Sequence, residues 1–159
     1  MDKKLQDFNY TVGIILAKLY EPFPRRISLS NQDLAGYGDY KQCIDTAGRY
    51  TYTFEHKESG TSVEIQPEVF QYYWDTLRWL EREDLITGAL ANWGIGDATL
   101  TMKGLNFLNL NLDTPDEESQ DISLATKLMK AIASGTKDQV ADFVGKAIAS
   151  FVFASAGKS

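Results

Sequence analysis

At 159 residues, with 43% hydrophobic, 12% aromatic and 24% charged side chains, the chain has the make-up of one globular domain, or of one domain with an appendage. Its formal charge of −6 repels a phosphate backbone at long range, which sets the expectation against nucleic acid and towards a basic protein partner. A lone cysteine, Cys43, excludes an internal disulfide and a cysteine-based zinc site within one chain, and the run Ala147–Ala156 falls short of the roughly 20 residues of a membrane span.

In chain order, Leu5, Phe8, Val12, Ile15, Leu16 and Leu19 recur at helical spacing and predict a first helix to about Tyr20, stopped by Pro22 and Pro24. Arg26–Leu29 alternates as a short strand. Ser30 or Asn31 then caps a short helix around Asp33-Leu34, which ends near Gly36 and Gly38. Tyr50, Tyr52, Phe54 and His56 alternate with polar residues, so 49–65 reads either as a hairpin turning at Glu58-Ser59-Gly60 or as an irregular excursion between helices.

Pro67 at a first helical position and Glu68 in the first turn open the strongest helix. It carries Phe70, Tyr73, Trp74, Leu77 and Leu80 on its apolar stripe and runs through Asp84. A strand from Leu85-Ile86 to about Leu90, a flexible tip at Asn92, Gly94 and Gly96, and a returning strand at Ala98–Leu100 follow, and Thr101 caps a further helix. The polar, acidic stretch 113–120 is the best boundary in the chain. Beyond it two amphipathic helices are expected, separated at Gly135.

This order of helix, short strand, helix, long helix, strand, glycine-bearing tip and strand resembles the winged-helix fold. Leu77-Arg78-Trp79-Leu80-Glu81-Arg82-Glu83-Asp84-Leu85-Ile86 is similar to the end of that fold's third helix entering the wing. Leu100-Thr101-Met102-Lys103-Gly104-Leu105 resembles the strand-to-helix step after many bacterial wings. The likeness covers roughly residues 5–110, with 40–65 departing from it. The resemblance implies an α+β protein: a winged-helix-turn-helix-like domain over 1–112, an acidic linker over 113–120 and two C-terminal amphipathic helices over 121–159.

Many winged helices read DNA with the third helix, and the resemblance makes Gln71, Arg78 and Arg82 the reading residues of a dimeric transcription regulator. Against that role, the stretch 66–84 holds two cations, Arg78 and Arg82, among Glu68, Asp75, Glu81, Glu83 and Asp84. The tip 91–97 holds no Lys or Arg at all. Protein contact is therefore the preferred expectation, with an immunity or antitoxin-like pairing to a basic toxin domain as its specific form. Trp93 at the wing tip, Tyr72 and Trp79 are the candidate contact residues, because aromatic side chains dominate binding hot spots; a Trp93 folded back on the core is the competing reading.

Chemistry finds little footing. His56 is the only histidine, and neither Glu55 and Glu58 beside it nor Cys43 supplies a recognised metal or nucleophile constellation. Ala156-Gly157-Lys158-Ser159 lacks the upstream glycine of a phosphate loop, having Val152 there, and Gly94-Ile95-Gly96 lacks a third glycine. A non-catalytic protein without metal or cofactor is expected. The start, Met1-Asp2-Lys3-Lys4-Leu5, has no apolar run of a secretory signal, which together with the single cysteine points to the cytoplasm. Val140, Phe143, Val144, Ile148 and Phe151 form a wide apolar face that must be buried on the chain's own domain or on a second copy, and a homodimer through 121–155 is the expectation drawn from it.

Overall fold

The computed structural model describes residues 2–109 and 123–156, with side chains as far as Phe151. The elements are α1 (Lys3–Tyr20), β1 (Ile27–Ser30), α2 (Asn31–Leu34), β2 (Tyr40–Ile44), β3 (Tyr50–His56), β4 (Ser62–Glu64), α3 (Pro67–Arg82), β5 (Ile86–Ala91), β6 (Gly94–Leu100), α4 (Met102–Leu108), α5 (Leu124–Ala133) and α6 (Lys137–Ala156). The α+β class is thus observed, with six helices and two antiparallel three-stranded sheets among the described residues. The predicted acidic linker 113–120 lies outside them.

The first sheet has the order β1-β6-β5, so the hairpin's returning strand sits in the middle. Leu29 pairs with Ile95 on one side of β6, and Ile86 pairs with Leu100 on the other. The second sheet, β2-β3-β4, fills 40–64 and resolves the ambiguous stretch as strands. Its first strand, Tyr40–Ile44, has no strong alternation and was not anticipated.

Local signals explain most of the ends. The side chains of Ser30, Thr101 and Ser123 accept bonds from the amides of Asp33, Gly104 and Thr126, each satisfying an otherwise unpaired donor of a helix start. Pro67 occupies the first turn of α3, where its missing N–H costs nothing. That helix stops at Arg82 rather than Asp84, because Asp84 turns into the left-handed region at φ 60° and starts the descent into β5. Gly94 and Gly96 belong to β6, not to a loose tip; the turn is only Asn92-Trp93. At Gly94, with φ 149°, any Cβ would overlap the Leu29 carbonyl, so the strand can approach β1 there only as glycine.

One hydrophobic core joins the elements. Val12, Ile15 and Leu16 of α1, Leu77 and Leu80 of α3, Ile95 and Ala98 of β6, Leu128 of α5, and Val140 and Val144 of α6 are all sealed from solvent. Each fully buried side chain of this kind stabilises by about 1.5–3 kcal/mol. α1 is buried on nearly every side, from Thr11 to Ala17, because the sheet and α3 cover one flank while α5 and α6 cover the other. Gly13 marks the closest approach: a Cβ there would lie 2.8 Å from a Val140 methyl and 2.9 Å from a Val144 methyl. The C-terminal helices therefore share a core with α1, α3 and the first sheet; in the apolar face from which a homodimer was expected, Val140 and Val144 are buried within the chain and Phe143, Ile148 and Phe151 are partly buried.

Candidate functional site

Between the two sheets lies a cleft of about 530 Å³. Its geometry starts at α2. The Asn31 amide donates to the Trp93 carbonyl at 2.8 Å, and Asn31 Nδ2 donates to the Asn92 carbonyl at 3.1 Å, so the first residue of α2 grips the β5–β6 turn. That grip fixes the Trp93 backbone while its side chain stays 47% exposed, with the indole over Gly96, where there is no Cβ to displace it. The facing wall comes from β2 and β3: Gln42, Tyr50 and Phe54 line it. Phe54 anchors that wall on α3 through Phe70, ring centroids 5.4 Å apart, and is itself buried.

The lining holds aromatic rings and neutral polar groups, Ser30, Asn31, Gln32, Gln42 and Asn92, and among the described residues no ionisable acid or base beyond the Tyr50 phenol. Gln32 Nε2 donates to the carbonyls of Tyr37 and Tyr40 at 2.8 and 2.6 Å, and Gln42 Nε2 to that of Thr51 at 2.8 Å. Backbone carbonyls accept only, so these partners fix which end of each amide is the NH2 group. The Asn31 carboxamide oxygen is buried and accepts no bond from the described residues.

Of the contact residues expected from the sequence, only Trp93 reaches this cleft. Tyr72 and Trp79 lie on the flank of α3 that meets α1. The Tyr72 hydroxyl is 3.4 Å from the Thr11 hydroxyl, and Trp79 meets Phe8 edge to face at 5.0 Å; both are half-buried. Both help to join α3 to α1. Gln71, Arg78 and Arg82 do share one exposed face of α3, seven and eleven residues apart, near two and three helical turns. On that face Gln71 donates to Asp75 at 2.9 Å, and the Arg78 guanidinium stacks on Trp74 at 5.4 Å.

Within the expected dimer face, Val140 and Val144 are fully buried, and Phe143, Ile148 and Phe151 pack against the same core. Phe151 meets Phe107 of α4 at 5.5 Å. His56 and Cys43 both line a second groove of about 500 Å³ across β2 and β3. His56 Nδ1, however, accepts the amides of Glu58 and Ser59 at 3.2 and 3.1 Å, which makes the imidazole the cap of the β3–β4 turn.

Shifted titrations lie away from both grooves. The Lys137 ammonium, bonded to Asp7 at 2.6 Å, holds that carboxyl below its ordinary value, and the same bond raises Lys137. Burial raises the Tyr73 phenol. Comparison with family models, curated proteins and solved structures returns no match.

Sequence reading missed Asn31, Gln32, Gln42 and Tyr50 as parts of a site. Tyr50 was visible only as one tooth of a strand pattern, and amides carry no signal until a fold brings them together.

Proposed function

We propose that this chain is a winged-helix-type module that acts by protein–protein contact, with Trp93 as the central contact residue. What supports the winged-helix reading is the arrangement itself: α1, β1, α2 and α3 followed by the β5–β6 hairpin, with the sheet order β1-β6-β5 and the second sheet inserted between α2 and α3. The observation that carries the contact reading is Trp93, a half-exposed indole on a turn that Asn31 holds by two hydrogen bonds, one to the Trp93 carbonyl and one to that of Asn92. A large aromatic presented on a rigid support binds at low entropic cost. The charge of −6 suits a basic partner, of which a toxin domain neutralised by its immunity protein is one form.

Affinity capture from lysate of the source cells, with the wild-type chain and Trp93→Ala side by side, tests this. A stoichiometric protein retained by the first and lost with the second supports the reading; equal retention by both removes Trp93 from it. A second reading, DNA binding, is favoured by the shared exposed face of Gln71, Arg78 and Arg82. It requires genomic fragments to bind at low salt, to be released steeply as salt rises, and to be lost on replacing both arginines by alanine.

A further inference from the structure

We propose that the outer edge of β5 pairs with the same strand of a second copy of this chain, joining two first sheets into one continuous antiparallel sheet across a two-fold axis. β5 is an edge strand: in the order β1-β6-β5 it pairs with β6 alone. Along its other side one bond reaches it among the described residues, from the Trp74 indole N–H to the Ala91 carbonyl at 2.8 Å. The remaining outward amides and carbonyls form a row of the kind to which another strand adds, and Thr87 and Ala89 beside that row are exposed. Natural sheets guard such edges with short strands, charges, proline or a bulge. The other three edges follow that practice: β1 has four residues and runs directly into α2, β2 carries Lys41, and β4 has three residues and carries Glu64.

β5, Ile-Thr-Gly-Ala-Leu-Ala, has six residues with neither charge nor proline. Its register against β6 does shift, but from Thr87 to Ala89 it advances two residues while β6 runs three, from Thr99 to Gly96. β1 skips the same place, two residues from Ile27 to Leu29 against three from Ala98 to Ile95. The extra residue therefore sits in β6, where Asp97 adopts φ 51°, and β5 itself stays a regular strand. Charge selects the occupant. Net charge of one sign keeps an acidic protein apart from its own copies, yet the whole stretch from Leu85 to Trp93 is uncharged in a chain of −6. A second copy laid antiparallel on β5 meets no like charge along the strand. A foreign strand is chosen through pockets for alternate side chains; Thr87 and Ala89 are too small to choose a sequence and well sized to lie against their own copies. The contact is isologous, so it closes at two subunits. It also leaves Trp93 free, because the Asn92-Trp93 turn leads away from this edge into β6 and the indole lies over Gly96.

The test is sedimentation of the full chain from micromolar to near-millimolar concentration, beside residue-resolved amide exchange at the two extremes. A monomer–dimer equilibrium is expected, with the β5 amides exchanging more slowly in the concentrated sample and those of α3 and α6 unchanged. Thr87→Lys with Ala89→Lys sets ammonium groups against their own copies at two exposed positions and is expected to raise the dimer dissociation constant by roughly 10-fold, the scale of like charges placed opposite across a strand pair. Amide exchange in α3 shows that this variant is folded, and the wild-type exchange result stands without it. Trp93→Ala is expected to leave the dimer as strong as in wild type. A monomer throughout the range would overturn the proposal, as would a dimer whose slowed amides lie outside β5 or which the two lysines do not weaken. Slow β5 exchange that is the same at both concentrations would overturn it too, since the chain would then cover its own edge.

Discussion

The two sheets have the same size and the same antiparallel pairing, yet they are built to different standards. In the first, β6 is buried at Gly94, Ile95, Ala98, Thr99 and Leu100, and helices close over it. In the second, β3 is buried only at Phe54, and Tyr50 and Tyr52 stand 72% and 55% exposed. Phe54 and the neighbouring Ile65 are its apolar anchors, and neither belongs to the main core. Stability is therefore concentrated in the first sheet and its helices. The lightly anchored second sheet contributes one wall of the cleft, as expected where binding surfaces come from the less stable parts of a fold.

The sharpest way to break that contrast is to hollow the core. Leu16→Ala, in a helix buried on nearly all sides, is expected to cost about 2–5 kcal/mol and to lower the protection of every element together in denaturant-monitored hydrogen exchange. Gly13→Val comes next, at about 1–3 kcal/mol, because its methyls meet Val140 and Val144 where a bare Cβ is already too close. If α5 and α6 were an independent appendage, that substitution would leave α3 and the first sheet untouched. Uniform loss of their protection is the expected result.

Phe54→Ala should behave differently. Its cost is expected to fall on the second sheet, raising amide exchange across 40–64 while the first sheet keeps its protection. Global melting with Phe54→Ala would erase the distinction between the two sheets. Trp93→Ala is smaller still in stability, within about 0.5 kcal/mol, since the ring is half-exposed and leaves no cavity. Its effect belongs to binding.

Much of the helical framework was legible because helices announce themselves in local terms. Pro67 with Glu68, Thr101 and Ser30 mark starts that the structure keeps, and the apolar spacing of α1, α3, α5 and α6 is observed. What periodicity cannot tell is how many flanks of a helix are covered. Tyr72 and Trp79 looked free because the main stripe of α3 was already accounted for, yet α1 lies on that second flank. The wide face of α6 was read correctly as needing cover. At Val140 and Val144 that cover is Gly13 and its neighbours in α1, whose own breadth of apolar residues was the overlooked clue. The cleft was not legible at all, since Asn31, Gln42 and Trp93 are brought together only by the sheet pairing and the grip of α2 on the turn.

The smallest expected effect concerns how α6 is clasped to α1 at the surface. Lys137 donates to Asp7 at 2.6 Å, and Gln6 donates to Asp138 at 2.6 Å beside it. The bond from Lys137 depresses the Asp7 carboxyl, so its contribution is present above the unfolded value near 4 and is lost as pH falls through the lower folded one. The bond to Asp7 raises Lys137, so its contribution is present below the unfolded value, about 10.4, and is lost as pH rises through the higher folded one. Between those limits the clasp is at full strength, but both side chains are well exposed, at 38% and 49%, and salt screens them. Asp7→Asn is therefore expected to lower Tm slightly at neutral pH and low salt, with the difference from wild type closing as pH falls through the lowered Asp7 titration and in high salt. A difference that persists under both conditions would place the role of Asp7 in packing rather than charge, and the main-core region would then owe more to its surface than its buried side chains suggest.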